Sequence, residues 1–73
     1  MERYDLYVNE HQAARALDRA AALRAALVTL LQMAPPDCAQ TEICIRLAET
    51  DELRAVWFWT PAGWQRHQVV GWS

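Results

Sequence analysis

The sequence predicts an α+β fold: a single β-α-β-β-β domain in which one long helix packs on a mostly antiparallel four-stranded sheet. Three observations predict it. A long alanine- and leucine-rich stretch has helical periodicity, short alternating segments lie on either side of it, and tryptophans cluster near the C-terminus. With 73 residues the chain is long enough for one hydrophobic core, so we expect residues 1–73 to form one domain.

The first element is a strand over residues 3–8. Tyr4, Leu6 and Val8 alternate with Asp5 and Tyr7, which is the period-two pattern of a strand with one buried face. This strand therefore contributes one apolar side to the core.

The helix is predicted over residues 10–34. Asn9 has the side-chain oxygen of an N-cap, Gln12 lies where it completes a capping box, and the prolines at 35 and 36 end the helix. The residues expected to face the sheet recur along one side of this helix: Ala13, Ala16, Ala20, Leu23, Leu27, Leu30, Leu31 and Ala34.

Two features of the helix do not fit a simple core stripe. Arg24 falls on the buried side, where it either snorkels at the edge of the core or pairs with an acid. Ala14, Ala21 and Ala25 form a flank of small residues that a second copy of the chain could approach closely, giving a homodimer. Alternatively, these alanines serve only helix propensity.

Three more strands are predicted after the helix, over residues 41–48, 53–60 and 64–72, joined as an antiparallel meander. The last two are connected by a tight turn in which Gly63 takes a left-handed conformation. The first strand joins the meander through the helix as a right-handed crossover. The pattern leaves open whether it lies beside the second or the fourth strand.

The strand over 53–60 is apolar on both faces, which is unusual for an antiparallel sheet with one solvated side. Either a partner covers its second face or the tryptophans form an exposed binding patch; alternatively, they enlarge a small core. A bulged hairpin places His67 opposite Trp57, and a register one residue shorter places Arg66 there. The candidate partner-binding residues are Trp57, Trp59, Trp64, Arg66 and His67.

Composition excludes several function classes. All seven basic residues are arginine, and the net charge of −2 argues against direct nucleic-acid binding. Two glycines cannot build a phosphate-binding loop. His11, His67, Cys38 and Cys44 lack the spacing of a metal site, and the two thiols are expected to be free. We therefore predict no catalytic residue, no metal and no cofactor, and a chain that is not an enzyme.

The acidic turn, which comprises Glu49, Asp51 and Glu52, is a possible contact surface. Its carboxylates could mimic a phosphate backbone and so block a nucleic-acid-binding protein. Three acids in a turn are also simply a solvated loop.

The capped helix start at 9–12 and the aromatic meander at 56–72, in a compact acidic chain, resemble small phage or prophage proteins that inhibit a host machine, anti-CRISPR proteins among them. That resemblance implies a stoichiometric inhibitor that docks on a host protein complex. The N-terminus lacks a secretory signal and no apolar stretch is long enough to cross a membrane, so we expect a cytoplasmic protein.

Two alternative functions remain open. The first is a dimer whose tryptophans stack on a planar ligand such as a nucleotide, with Arg66 reading the ligand's charge. The second is a structural subunit whose role is assembly.

Overall fold

The computed structural model describes residues 2–33 and 41–68, and these form a five-stranded sheet with one helix on it. The elements in chain order are β1 (Tyr4–Val8), β2 (His11–Leu17), α1 (Arg19–Gln32), β3 (Glu42–Leu47), β4 (Leu53–Thr60) and β5 (Gly63–Gln68). The strands lie in the order β2-β1-β3-β4-β5, and every neighbouring pair is antiparallel. The α+β class is confirmed, but the sheet has five strands where the sequence predicted four.

The additional strand comes from the segment assigned to the start of the helix, so the predicted helix over 10–34 is wrong in its first half. Asn9 and Glu10 form a two-residue turn between β1 and β2, with φ values of 50° and 71°. Positive φ at both turn positions is typical of the tight turns that match the twist of paired strands. Asn9 Oδ1 accepts a hydrogen bond from Glu42 N at 2.8 Å, and Asn9 N donates to Glu42 O at 2.9 Å. Asn9 therefore links the first hairpin to β3 instead of capping a helix.

The β2 strand is irregular. Its register with β1 shifts twice, and Ala16 has a φ of 57°. The carboxylate of Asp5 accepts a hydrogen bond from Ala16 N at 2.9 Å. This bond gives the Ala16 amide a partner where the pairing of β2 with β1 is irregular. Alanine favours helix intrinsically, but pairing with β1 outweighs this weak local preference.

Helix α1 begins at Arg19, because Asp18 is its N-cap and accepts a hydrogen bond from Ala21 N at 2.7 Å. Ala22 and Ala26 are fully buried and lie against the sheet. Leu23 and Leu30 of the predicted stripe pack against the core, but Leu27 and Leu31 are exposed, so the stripe is only partly correct. Arg24, expected on the buried side, is exposed.

The helix connects two parallel strands. Both β2 and β3 run antiparallel to β1, so they run in the same direction, and α1 crosses over β1 to join them. The crossover thus starts from β2, one strand later than predicted, because the first two strands form a hairpin. The open question of where the first strand lies is settled, since β1 lies between β2 and β3.

The core lies between α1 and one face of the sheet. Ile43 and Ile45 of β3 are completely buried at its centre. The other buried apolar residues of this cluster are Tyr4, Leu6, Ala22, Ala26, Leu47, Ala55 and Trp57. The helix packs on β1, β2 and β3, so it covers one half of the sheet more than the other.

The C-terminal meander follows the sequence prediction closely. Strand β4 has the predicted bounds, and Gly63 has the positive φ expected of it, 107°. The end of the strand predicted over 64–72 lies outside the described residues beyond Gln68, as do Ala34 and Cys38.

Candidate protein interface

The β4–β5 hairpin brings Trp57 and Arg66 together. These residues are direct cross-strand partners, which selects the shorter of the two registers considered from the sequence. The guanidinium carbon of Arg66 lies 5.2 Å from the centroid of the Trp57 ring, within the range of a cation–π interaction. Trp57 is only 4% exposed, so its side chain belongs to the core. A partner cannot contact this indole directly without displacing the residues that cover it.

Trp59 and Trp64 form a second aromatic contact on the same face of the hairpin. They are cross-strand partners, and their ring centroids lie 5.5 Å apart at an interplanar angle of 79°. This edge-to-face geometry suits the aromatic quadrupoles and holds both rings in place. Both side chains are half-buried, so each offers part of its surface to a partner.

His67 does not join this group. It pairs with Val56 and therefore lies on the opposite face of the sheet from Arg66. The five candidate residues thus divide into a buried indole, two half-buried indoles and an exposed arginine on one face, and an exposed histidine on the other. Because Trp57 is buried and the Arg66 guanidinium lies over its ring, this indole is not open to a planar ligand, whereas Trp59 and Trp64 are half-buried.

The most exposed apolar surface described is on α1, on the side that points away from the sheet. Leu31 is 86% exposed, Leu27 53% and Val28 46%. We call these three residues the helix patch. They fall within about one turn of the helix, opposite the buried Ala22 and Ala26. These three side chains make the helix patch the candidate interaction surface of α1.

Sequence reasoning assigned two of these three residues to the core. The predicted stripe follows the leucines, the bulkiest apolar residues of the segment, whereas α1 contacts the sheet through the small Ala22 and Ala26, so the predicted buried face has the wrong phase. Arg24 carried the signal that could have corrected it, because an unpaired arginine fits a solvated helix face better than a core.

The sheet face away from the helix has a central row that crosses all five strands: Gln12, Tyr7, Cys44, Val56 and His67. At one end of the row, the side-chain amide of Gln12 donates to the Tyr7 hydroxyl at 3.4 Å. A depression of about 280 Å³ on this face is lined by Tyr7, Glu10, Glu42, Cys44, Arg46 and Asp51. The depression combines one buried thiol with charged groups of both signs.

Cys44 is a free, buried thiol. Burial raises its pKa, and the neighbouring Arg46 guanidinium opposes that effect only in part. A thiol with a raised pKa contains little thiolate at neutral pH and is a poor nucleophile. The arrangement therefore favours a structural role for this side chain.

The acidic turn has contacts of its own. The Arg54 guanidinium lies 3.4 Å from a Glu52 carboxylate oxygen, and the Arg46 guanidinium donates to the Asp51 carbonyl at 3.0 Å. Glu49 is exposed. An exposed pair such as Arg54–Glu52 is worth little free energy, so the carboxylates stay accessible to a partner.

The proposed alanine flank does not exist as one surface. Ala14 lies in β2 opposite Leu6, whereas Ala21 and Ala25 are half-buried in α1. The flank depended on a continuous helix from residue 10, and the turn at Asn9 and Glu10 removes that continuity.

Two further findings apply to the described ranges, 2–33 and 41–68. No helix in them is long and apolar enough to span a membrane. No group of three or more histidine, cysteine, aspartate or glutamate side chains in them is placed to hold a metal ion.

No protein-family model, no curated protein and no solved structure matches this chain.

Proposed function

We propose that the chain is a non-enzymatic protein-interaction module that docks on a larger protein through the helix patch. The observation that carries the proposal is the exposure of Leu31, 86%, together with that of its neighbours Leu27 and Val28. In the finer form of the proposal, the chain is a phage-type inhibitor and the surface it binds belongs to a host protein complex.

The energetics support this use of the helix patch. Removing an exposed leucine or valine side chain from water stabilises a complex by about 1.5–3 kcal/mol when its burial is complete. Two leucines and a valine within one helical turn can therefore supply an apolar contact in an interface. The patch lies on a helix whose opposite side is fixed by the buried Ala22 and Ala26, so little backbone conformational entropy is lost on binding.

Charge supports a protein partner. The net charge of −2 disfavours a nucleic acid as the direct target, and the acidic turn adds a negative surface that a basic region of a partner protein could contact. Arg24 is exposed on the same side of α1 as the helix patch and would pair with an acid of the partner.

The test is affinity capture from host lysate with the wild-type chain and with matched variants. Leu31→Glu and Leu27→Glu each put a charge into the helix patch, and we expect each to weaken capture of the same partner by at least tenfold. The control is Phe58→Glu, because Phe58 is also an exposed apolar residue, 39%, but lies on the sheet face away from the helix. Circular dichroism of each variant shows whether it remains folded.

A different result would contradict the proposal. If Leu31→Glu and Leu27→Glu retain full capture while variants of Trp59 or Trp64 lose it, the partner binds the hairpin and not the helix. Equal loss in Phe58→Glu would place the partner on the opposite face of the sheet. Recovery of no specific partner by the wild-type chain would leave the helix patch without the role assigned to it.

A further inference from the structure

The two edges of the sheet are built differently. At one edge, β2 pairs with β1 in a register that shifts twice, and Ala16 has a positive φ. At the other edge, β5 pairs with β4 in an unbroken register from Thr60↔Gly63 to Ala55↔Gln68. Bulges are a common protection of edge strands against pairing with another chain, whereas a regular edge is a template for it.

The outer side of β5 is open within the described part of the chain. Strand β5 is the last of the sheet, no described segment pairs with its outer side, and it contains no proline. In a hairpin with a two-residue turn, hydrogen-bonded and non-hydrogen-bonded pairs alternate from the turn onwards. That alternation directs the backbone amides and carbonyls of Trp64, Arg66 and Gln68 toward the open edge.

We propose that this edge pairs with β5 of a second copy, antiparallel about a twofold axis at Gln65, to form one continuous ten-stranded sheet. The axis places Trp64 of each copy opposite Arg66 of the other and sets the two Gln65 side chains face to face. An antiparallel twofold contact uses the same strand from both copies and leaves no new edge, so it closes at two chains.

The charged residue of the strand favours an axis at Gln65 over an axis at Arg66. With the axis at Arg66, two guanidiniums would lie directly opposite each other, which is destabilising. With the axis at Gln65, each guanidinium lies between its own Trp57, 5.2 Å away, and the Trp64 of the second copy. A cation between two indole surfaces is favourable, and the central Gln65 amides can hydrogen-bond to each other.

The contact is small, because six strand residues span only about 20 Å. We therefore expect a weak dimer whose population rises with protein concentration. It forms independently of the partner assigned to the helix patch, since α1 packs on the other half of the sheet.

The experiment is sedimentation equilibrium of the wild-type chain and of two opposite charge variants, Gln65→Lys and Gln65→Glu. Because this residue faces its own copy, each variant alone places like charges together, and we expect each to weaken dimerisation roughly two- to fivefold. An equimolar mixture of the two places opposite charges together and restores the dimer. A heterologous contact would respond to only one sign of charge.

Gln12 provides the matched control, because it is the same residue type on the bulged edge strand, and its Lys and Glu variants should dimerise like the wild type. Hydrogen exchange of the wild-type chain is a second readout: the amides of Trp64, Arg66 and Gln68 should exchange more slowly as concentration rises. A chain that stays monomeric to about 1 mM overturns the proposal. So does a dimer that Leu31→Glu dissociates while both Gln65 variants leave it intact.

Discussion

Replacing Leu31 with alanine tests which face α1 presents to the sheet, and the function proposed above depends on the result. The sequence pattern puts Leu31 in the core, where Leu→Ala substitution costs about 2–5 kcal/mol. In the structure this side chain is 86% exposed, and a substitution at such a surface site changes the free energy of unfolding by about 0.5 kcal/mol or less. The loss in free energy of unfolding expected for Leu31→Ala therefore differs by at least about 1.5 kcal/mol between a buried and an exposed position.

The assay is thermal and urea unfolding, followed by circular dichroism at a protein concentration low enough to keep the chain monomeric. One kcal/mol shifts the Tm of a domain of this size by about 4–8 °C, so Leu31→Ala should shift it by no more than about 4 °C. Leu6→Ala is the matched control, because Leu6 is 2% exposed, and it should lower the Tm by about 8 °C or more. If that variant does not fold, Ile45→Val, at a fully buried site, supplies a smaller loss of about 0.5–1.5 kcal/mol.

A loss above about 2 kcal/mol in Leu31→Ala would refute the observed helix phase. It would also remove the basis for the proposed docking surface, because a leucine that stabilises the isolated monomer is not available to a partner. A loss below about 0.5 kcal/mol in Leu6→Ala would also contradict the observed packing, since it would place the core elsewhere.

Three other predictions concern the turn, the thiol and the hairpin. Glu10→Gly should raise the free energy of unfolding by about 0.5–1 kcal/mol in urea titrations, because Glu10 has a φ of 71° that glycine adopts without strain. If residue 10 were helical, the same substitution would instead lower the free energy of unfolding by about 1 kcal/mol. Burial raises the pKa of Cys44, so the protonated thiol favours the folded state. This contribution to the free energy of unfolding is complete below the ordinary thiol pKa of about 8.5. It is lost as the pH rises through the raised pKa of the folded state. The stability difference between the wild type and Cys44→Ala should therefore shrink at alkaline pH, and a constant difference would contradict the assignment. Arg66→Ala should cost about 0.5–1 kcal/mol and alter indole fluorescence through Trp57, whereas His67→Ala, on the opposite face, should leave the fluorescence unchanged.

The parts of the fold that the sequence predicted correctly are those with a strong period-two pattern. Tyr4, Leu6 and Val8 mark β1, and the aromatic and β-branched residues of 53–60 mark β4 with its observed bounds. In these segments, local preference and burial favour the same structure, so the pattern is sufficient.

The β2 strand could not be predicted in this way. Its alanines favour helix, and Asn9-Glu10 lacks the glycine that usually marks a two-residue hairpin turn. What holds the segment extended is its pairing with β1, together with the bonds between Asn9 and Glu42, which are far apart in sequence. Contacts of that kind are not visible in a local pattern.

The sequence predicted some features of the candidate interface and not others. The pairing of Trp57 with Arg66 was one of two registers that the hairpin sequence allowed, and the two-residue turn at 61–62 selected it. The exposure of Leu27 and Leu31 was not predicted, because large apolar side chains favour the core, whereas α1 packs on the sheet through the small Ala22 and Ala26. The surface on which the proposed function rests was therefore not visible in the sequence pattern.

The position of β1 between β2 and β3 also determines when the sheet can be completed during synthesis. A nascent chain that has emerged only through α1 contains the β1–β2 hairpin and its helix, but it lacks the strand that covers the second side of β1. That side is filled only after residue 47 has left the ribosome. Until then, the edge of β1 and the apolar underside of α1 are open to other chains. The interval between the emergence of residues 33 and 47 from the ribosome is therefore the period in which we expect misassembly or chaperone binding.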